Sequence, residues 1–563
     1  VITPARIPQK PWQAPSSVEV VTSETIRKWR VRSVAESLRR VGGVDVRKAG
    51  WLTLIGPRGT TNTRYTNQIL VLLDGIPVLD PLLGRFDLGE NFPIDIIDQI
   101  EVVRGTGSSL YGANAFSGVI NILTKDASDQ TGNEVRQELG PDSTSRSNLT
   151  LSNPSLGGTE WFAHWRGHFS DGRDAHAVND NDELWDRDYF FKLGRGKGNF
   201  SIHASRLEQG RPLNEQDSDE DDIIENEDLY LRSRYHFFDE SNESLSLNLY
   251  KNLQNGSYPG GGSPGRPPRV DFDTTREGAK LEFTKNLIGG TIVAGTEYAR
   301  KKADWLDIGG EHSSHESSFY LQGEFRSSRD WTFTLGSRFD HDSVYGSNLS
   351  PRFSALKRLD SHRNLRISAG RAYRAPNFSQ QYIDTFIGTR GFDLNGDGVD
   401  DVSLPIRAAG NTGLDVEEMD CYDLSLSNNV NNDFRWDLSL YYRRSEDRFG
   451  SEILLLPTEV QARTINEGES MSKGIEFALR LDISDKARLH CNLTYQRALD
   501  SQTGEELEYA PKHKGNLGLH MEHGPLWSSY LNLHAVSERR GEVSESVAGF
   551  GVIDLSVSRK MRG

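Results

Sequence analysis

From residue 131 to residue 563 apolar and polar residues alternate with period two, and no convincing helix interrupts them. "WFAHWRGHFS" (161–170) sets Trp161, Ala163, Trp165, Gly167 and Phe169 against Phe162, His164, Arg166, His168 and Ser170. "SLSLNLY" (244–250), "RWDLSLYYRR" (435–444) and "NLGLHMEH" (516–523) repeat the pattern. Successive strand side chains point to opposite faces, so each segment has one apolar and one polar face. A soluble sandwich alternates too. Here the alternation persists over most of the chain, and the polar face is rich in Arg, His, Asp and Asn, which suits a wet lumen. A sheet this long is stable only when closure removes its edges. The expectation is a membrane all-β fold, a large antiparallel transmembrane β-barrel.

No run of roughly 18 apolar residues exists, so no transmembrane helix is expected. The formal charge of −16 argues against nucleic acid as the partner. Dividing residues 131–563 over about 22 strands leaves about 20 residues for each strand and its connection, the regime of the largest plugged barrels. The segments 171–188, 213–228 and 254–271 are too polar, or too rich in Gly and Pro, to cross a bilayer and read as long extracellular loops. Cys421 shares its strand face with Asp423 and Ser425, and Cys491 with Leu489, Leu493 and Tyr495. Thiols on opposite faces do not meet, so no disulfide is expected.

Residues 1–130 mix element types and read as a small α/β domain. "SVEVVT" (17–22) is a strand. "SVAESLRRVGGVDV" (33–46) places Val34, Leu38 and Val41 at helical spacing before Gly42 and Gly43 stop it. "QILVLLDGIPV" (68–78) is a buried strand broken by a tight Asp-Gly turn. "IDQIEVVRG" (97–105) and "GVINILTK" (118–125) add two strands. Between them "GTGSSLYG" (105–112) invites a phosphate-loop reading. It lacks a following Gly-Lys-Ser/Thr, misses the G-x-G-x-x-G spacing, and leads to a strand rather than a long helix.

Taken in order, "APSSVEVVTSETIRKW", "SVAESLRRVGGVDV", "LVLLDGIPV" and "FPIDIIDQIEVVRGTGSSLYGANAFSGVINILTK" resemble the plug of TonB-dependent outer-membrane receptors. "LSPRFSAL" (349–356), "GRAYRAPNF" (370–378), "MSKGIEF" (471–477) and "APKHKGNLGL" (510–519) resemble its barrel segments. The chain departs from the family pattern in Thr106, where Pro is usual, and in "LIGPRG" (54–59), where "IRG" is usual. It starts inside the presumed TonB box, and "GVIDLSVSRKMRG" lacks a terminal aromatic strand, so the last one or two strands are expected to be missing.

The resemblance implies a plug over 1–130 inside a barrel over 131–563, in the outer membrane of a Gram-negative bacterium. Its surroundings would be the lipid bilayer and lipopolysaccharide. Val1, Ile2, Thr3, Pro4, Ala5 and Arg6 would bind TonB, which is driven by inner-membrane proteins. Trp51, Arg64, Tyr65, Asp80, Arg85 and Phe86 are candidate ligand-facing plug positions, and Glu101 and Arg104 candidate plug–barrel contacts. The implied function is import of a scarce metal-chelate ligand, a ferric siderophore first and cobalamin second. A receptor-like docking subunit for a partner protein is the alternative from another class, so both a monomer and a subunit of an outer-membrane complex stay open. No His lies between "YRAPNF" (373–378) and "GNTGL" (410–414), where haem receptors of the family carry one, which disfavours haem.

No cofactor is required by this reading, and no arrangement of nucleophile, base and acid suggests an enzyme. One calcium motif stands out. Asp393, Asn395 and Asp397 at every second position, then Gly398, match the first half of a calcium loop, with Asp400 or Asp401 available further on. Leu404 stands where the bidentate Glu belongs, so a solvated acidic turn is the equal alternative. His312 and His315 read as a loop pair after Gly309-Gly310.

Overall fold

The computed structural model describes residues 9–49, 52–60, 67–90, 92–130, 132–172, 183–210, 223–259, 269–327, 330–392, 402–430, 433–541 and 545–560. Val1–Arg6, Trp51, Arg64, Tyr65 and the calcium-loop candidates Asp393, Asn395, Asp397 and Asp401 lie outside the described residues.

The N-terminal domain is a five-stranded sheet in the order Ser17–Thr22, Ile97–Arg104, Gly118–Thr124, Ile69–Leu73, Ile76–Pro77. Each element starts where the sequence puts a signal. Thr22 caps the helix Ser23–Trp29 by accepting from the Thr25 amide at 3.2 Å, and Ser33 caps Val34–Arg39 by accepting from Glu36 at 3.1 Å. Val34, Leu38 and Val41 are fully buried. The chain leaves that helix through Gly43 at φ +70° and enters the hairpin Val44–Ala49/Leu52–Pro57. Asp74 and Gly75, at φ 50° and 79°, form a two-residue turn with both centres left-handed. Asp74 also accepts from the Thr124 amide and hydroxyl, both at 2.8 Å, which ties the turn to the neighbouring strand.

Twenty antiparallel strands, from Glu134–Leu139 to Phe550–Arg559, form a closed barrel around this domain. The alternation resolves as inside and outside. His164, Arg166 and His168 are buried toward the lumen, and Trp165 is exposed outward. Tyr189, Phe319, Leu321, Phe339, Leu349 and Leu493 join it on the outer surface. An apolar outer belt of this kind is what hydrocarbon covers. Among the described residues no helix is long and apolar enough to cross a membrane.

All connections at one end are short, such as 157–158, 196–197, 288–289 and 485–486. Those at the other end are mostly longer and include 171–183, 211–222 and 260–268. Strands run further into the polar segments than the sequence reading placed them. Ile223–Asp239 has 17 residues and Arg269–Leu287 has 19. A tilted crossing takes about 9–11 residues, so the polar ends extend the wall beyond the apolar belt.

The ring holds 20 strands, within the expected range of about 22 less one or two. Residues counted toward the barrel form a separate four-stranded sheet instead: Asp384–Phe392, Val402–Ala409, Val460–Asn466 and Phe449–Leu455. They sit in connections between barrel strands that already pair with each other, Arg363–Arg374 with Glu417–Asn429 and Phe434–Glu446 with Ser470–Ser484. The ring therefore has no place for them. His312 and His315 lie on the strand Gly310–Arg326 rather than in a loop, and face opposite sides. His312 stacks on Tyr382 at 3.8 Å, and His315 on Tyr298 at 6.1 Å. Both cysteines are free.

Candidate functional site

The plug meets the long-connection end of the barrel with the loop 80–87. Asp80 folds this loop on itself by accepting from the amides of Leu83 (2.6 Å) and Arg85 (3.0 Å), while its own amide donates to the Arg85 carbonyl at 2.9 Å. Asp87 accepts from the Gly89 amide at 2.7 Å. Burial pushes both carboxyl groups above their ordinary range, and Arg85 opposes the shift at each. Phe86 turns inward and packs edge-on against Phe92 (5.7 Å) and the barrel's Tyr230 (6.0 Å).

Together these residues floor an open cleft. Asp80, Arg85, Phe86 and Asp87 line it from the plug, and His203, Asp228, Tyr230 and Phe272 from the wall. Three of the predicted ligand positions, Asp80, Arg85 and Phe86, therefore come together. The wall residues were not singled out in sequence. Their signal is parity: His203 and Tyr230 occupy inward positions of paired strands and stack at 5.7 Å.

The segment "YRAPNF" closes over the same end of the plug. Arg374 pairs with Glu417 at 2.6 Å and donates to Asn67 of the plug at 3.1 Å. Asn377 donates to the Leu83 carbonyl at 2.8 Å, caps the short helix Phe378–Tyr382, and precedes a Phe378 amide that donates to the Pro81 carbonyl at 3.2 Å.

Below the cleft, plug and wall are held by buried charge. The Arg58 guanidinium, fully buried, donates through Nε and Nη2 to the two oxygens of Glu476 (2.8 and 3.0 Å) and through Nη1 to Asp423 (2.6 Å). Arg104 donates to Glu476 at 3.0 Å and to the Gly42 carbonyl at 2.9 Å. Gly43 lies so close that an added Cβ would stand 2.0 Å from Glu476 Oε1. Arg104 thus reaches the barrel wall. Glu101, fully buried, accepts from Gln99 and Asn121 of the plug's own sheet, both at 3.0 Å.

The N-terminal stretch enters at the opposite end. Arg352 donates to the Pro15 carbonyl at 2.9 Å and also to Ser16 Oγ. Arg366 donates to the carbonyls of Ala14 (3.1 Å) and Ser16 (2.6 Å). Arg366 lies near the short-connection end of Arg363–Arg374, and Arg352 at the middle of Gly346–Arg358. Between Arg104 and the long-connection end the glycine-rich stretch serves packing, with Gly112 against Arg338 and Ser108 Oγ accepting from the Tyr373 amide at 3.3 Å. Gly105 and Gly112 take φ +114° and +79°, and only four residues, Ser108–Tyr111, are helical. Among the described residues no group of three His, Cys, Asp or Glu is placed to hold a metal ion.

A plug threaded through a closed barrel, with a cleft at one end and an N-terminal entry at the other, defines an architecture that two family descriptions match. The TonB-dependent receptor plug domain matches residues 10–119, and the TonB dependent receptor-like β-barrel matches residues 124–561. The chain belongs to the TonB-dependent receptor family. It is 24% identical over 499 residues to the vitamin B12 transporter BtuB of Vibrio cholerae, covering 85% of this chain and 74% of that protein. Among solved structures, the siderophore receptor PirA of Acinetobacter baumannii superposes with a TM-score of 0.77 at 17% identity, covering 97% of this chain and 92% of that one. A variant of the ferric enterobactin receptor PfeA of Pseudomonas aeruginosa gives 0.81 at 18%, covering 98% and 92%. These two likenesses establish a shared fold.

Proposed function

We propose that the protein imports a scarce metal chelate across the outer membrane of a Gram-negative bacterium, with TonB supplying the work through the box at Val1–Arg6. A ferric siderophore is the first choice of ligand and cobalamin the second. The observation that carries this reading is the two-ended plug: the cleft floored by Asp80, Arg85 and Phe86 sits at one end, and the stretch leading from the box is held by Arg366 near the other and by Arg352 at mid-wall. Ligand and TonB then act on one domain from opposite sides, and occupancy of the cleft is coupled to exposure of the box by a free energy shared between the two sites. Strand addition is the natural mode for TonB to engage a short extended segment. The PirA and PfeA likenesses and the BtuB relative support a metal-chelate ligand in general.

The test is accumulation of radiolabelled ferric siderophore and of labelled cobalamin in cells carrying the full chain or a chain lacking residues 1–8. One of the two is expected to accumulate, and only with the full chain. Equal uptake by both forms would overturn the reading.

A further inference from the structure

We infer that a cavity on the short-connection side of the plug is a second ligand site, which takes a carboxylate-bearing anionic chelate once it has left the cleft. This role rests on the uptake reading above and adds a waypoint on the leaving side.

Shape is the first observation. A cavity of about 390 Å³ lies between the edge strand Ser17–Thr22 and the barrel wall. It exists because the wall is recessed there. Strand register sets Ser425, Ser439 and Glu476 in one inward row, Ser427, Asp437 and Ala478 in the next row down, and Arg435, Arg480 and His490 in the row below that. The serines and Ala478 are too small to fill the space up to the plug. Arg480, in the lowest row, is exposed at the mouth, and Arg366, beside Ser425 in the uppermost, is buried.

Charge is the second. Six cations line the cavity, Lys28, Arg104, Arg366, Arg435, Arg480 and Arg488, against the carboxyl groups of Glu19 and Asp437. Four of the six are committed: Lys28 to Glu24 (2.6 Å), Arg104 to Glu476 (3.0 Å), Arg435 to Asp437 (2.9 Å) and Arg488 to Asp482 (2.8 Å). Two remain. Arg480 makes no ion pair and no hydrogen bond among the described residues. The acids it faces, Asp482 and Glu24, are held by Arg488 and Lys28, and the cations Arg488 and Arg435 face it as well. Arg366 donates only to neutral oxygens, the carbonyls of Ala14 and Ser16 and the Ser425 hydroxyl. The acids it faces, Asp423 and Asp437, are held by Arg58 and Arg435. Glu19 stands 3.9 Å from Arg104, and burial pushes its carboxyl group above the ordinary range.

Open donors are the third. Arg366 Nε and Arg104 Nε are buried and without a partner among the described residues, and both side chains line the cavity. Buried donors beside a cavity are satisfied by what binds there. Surplus guanidinium charge in a partly desolvated space attracts an oxyanion, and the guanidinium fork matches a carboxylate with two parallel hydrogen bonds.

The test puts a reporter thiol in the recess. Ala478→Cys is made in the full chain with Cys421→Ser and Cys491→Ser, which removes both native thiols. The purified protein is modified with a sulfonate-bearing and with a trimethylammonium-bearing methanethiosulfonate, each rate normalised to free cysteine. The anionic reagent is expected to react about 10-fold faster than the cationic one. Arg480→Gln is expected to lower that ratio about 3-fold, and Arg480→Lys to preserve it. Ferric dicitrate is expected to protect the thiol better than free citrate at the same total citrate, and to protect it less in Arg480→Gln. Heat-modifiable migration verifies that each variant keeps its barrel. Equal rates for the two reagents, or a ratio unmoved by Arg480→Gln, would overturn the anion site. Protection by free citrate equal to that by ferric dicitrate would mark a site for a periplasmic solute and overturn the chelate. The uptake reading stands or falls separately, on dependence upon residues 1–8.

Discussion

Arg58 Nε lies 2.8 Å from Glu476 Oε1, joining the plug to the barrel wall through a guanidinium with no exposure to solvent. Arg58 itself sits at φ 57°, beside Gly59 at φ 78°, so the backbone bends through the left-handed region to deliver this side chain. Removing Arg58 strips Glu476 Oε1 and Asp423 of a buried partner while Arg104 still holds Glu476 Oε2, so the cost falls toward the lower end of the range of about 3–5 kcal/mol for a broken buried pair. Arg58→Ala is therefore expected to loosen the hairpin Val44–Ala49/Leu52–Pro57 while the barrel persists. Hydrogen exchange of those amides reads the loosening, and heat-modifiable migration reads the barrel. Arg58→Lys restores charge but not the two-pronged contact, and is expected to recover only part of the protection. Unchanged exchange in Arg58→Ala would show that the contact holds nothing.

Gly118 opens the central plug strand, and a Cβ added there would stand 2.7 Å from the Val103 carbonyl oxygen. The obstruction is backbone paired in the same sheet, so it has little room to yield. Gly118→Ala is expected to destabilise the plug by about 1–3 kcal/mol. Gly336 provides the comparison, because its added Cβ meets only Gln322 side-chain atoms at 3.5 Å and beyond. Limited proteolysis of the two variants in membranes should cut the Gly118→Ala plug faster. Equal rates would refute the packing account.

Asp74 supplies both a left-handed turn residue and two acceptors for Thr124. Asp74→Ala loses both features and is expected to cost about 1–2 kcal/mol. Asp74→Asn tolerates the same φ and keeps one acceptor oxygen, so it should cost less. Exchange rates of the Thr124 amide in the two variants give the order directly.

Glu19, Asp45, Asp80 and Asp87 belong to the plug, and burial pushes each carboxyl group above its ordinary range. An unfolded carboxyl titrates near about 4. Between that value and the higher folded ones, the folded plug holds protons that the unfolded plug releases. The contribution of these groups is full below the unfolded value and is lost as pH rises through the folded ones. Exchange-derived opening free energies in the plug sheet are expected to rise as pH falls from 7 to 5, with a smaller slope in Asp45→Asn. The opposite slope would contradict the assignment.

Much of this molecule was legible in the chain. Leu38 and Val41 announce the plug helix and its exit, because helical spacing and two glycines are local signals. The face carrying His164 and Arg166 announces the lumen, because parity is a strand's only geometric freedom. The four-stranded sheet was misread for the same reason. Alternation at 449–466 states that these residues are strands, but not which sheet they join. That follows from the pairing of Phe434–Glu446 with Ser470–Ser484, a long-range fact. The cleft was half visible. Asp80, Arg85 and Phe86 stand in one loop, whereas His203 and Tyr230 reach it only through barrel closure.

The glycine-rich stretch that resembled a phosphate loop carries a mechanical consequence instead. Its preceding strand, Ile97–Arg104, pairs on one side with Ser17–Thr22, an edge strand with a single neighbour. The register sets Ser17 opposite Arg104 and Thr22 opposite Gln99. Tension applied to the chain ahead of Ser17 arrives first at the Ser17–Arg104 pair and moves on one pair at a time, as in unpicking a hem. Arg104 also grips Glu476. The first stitch to take the load is thus the one beside the plug's grip on the wall.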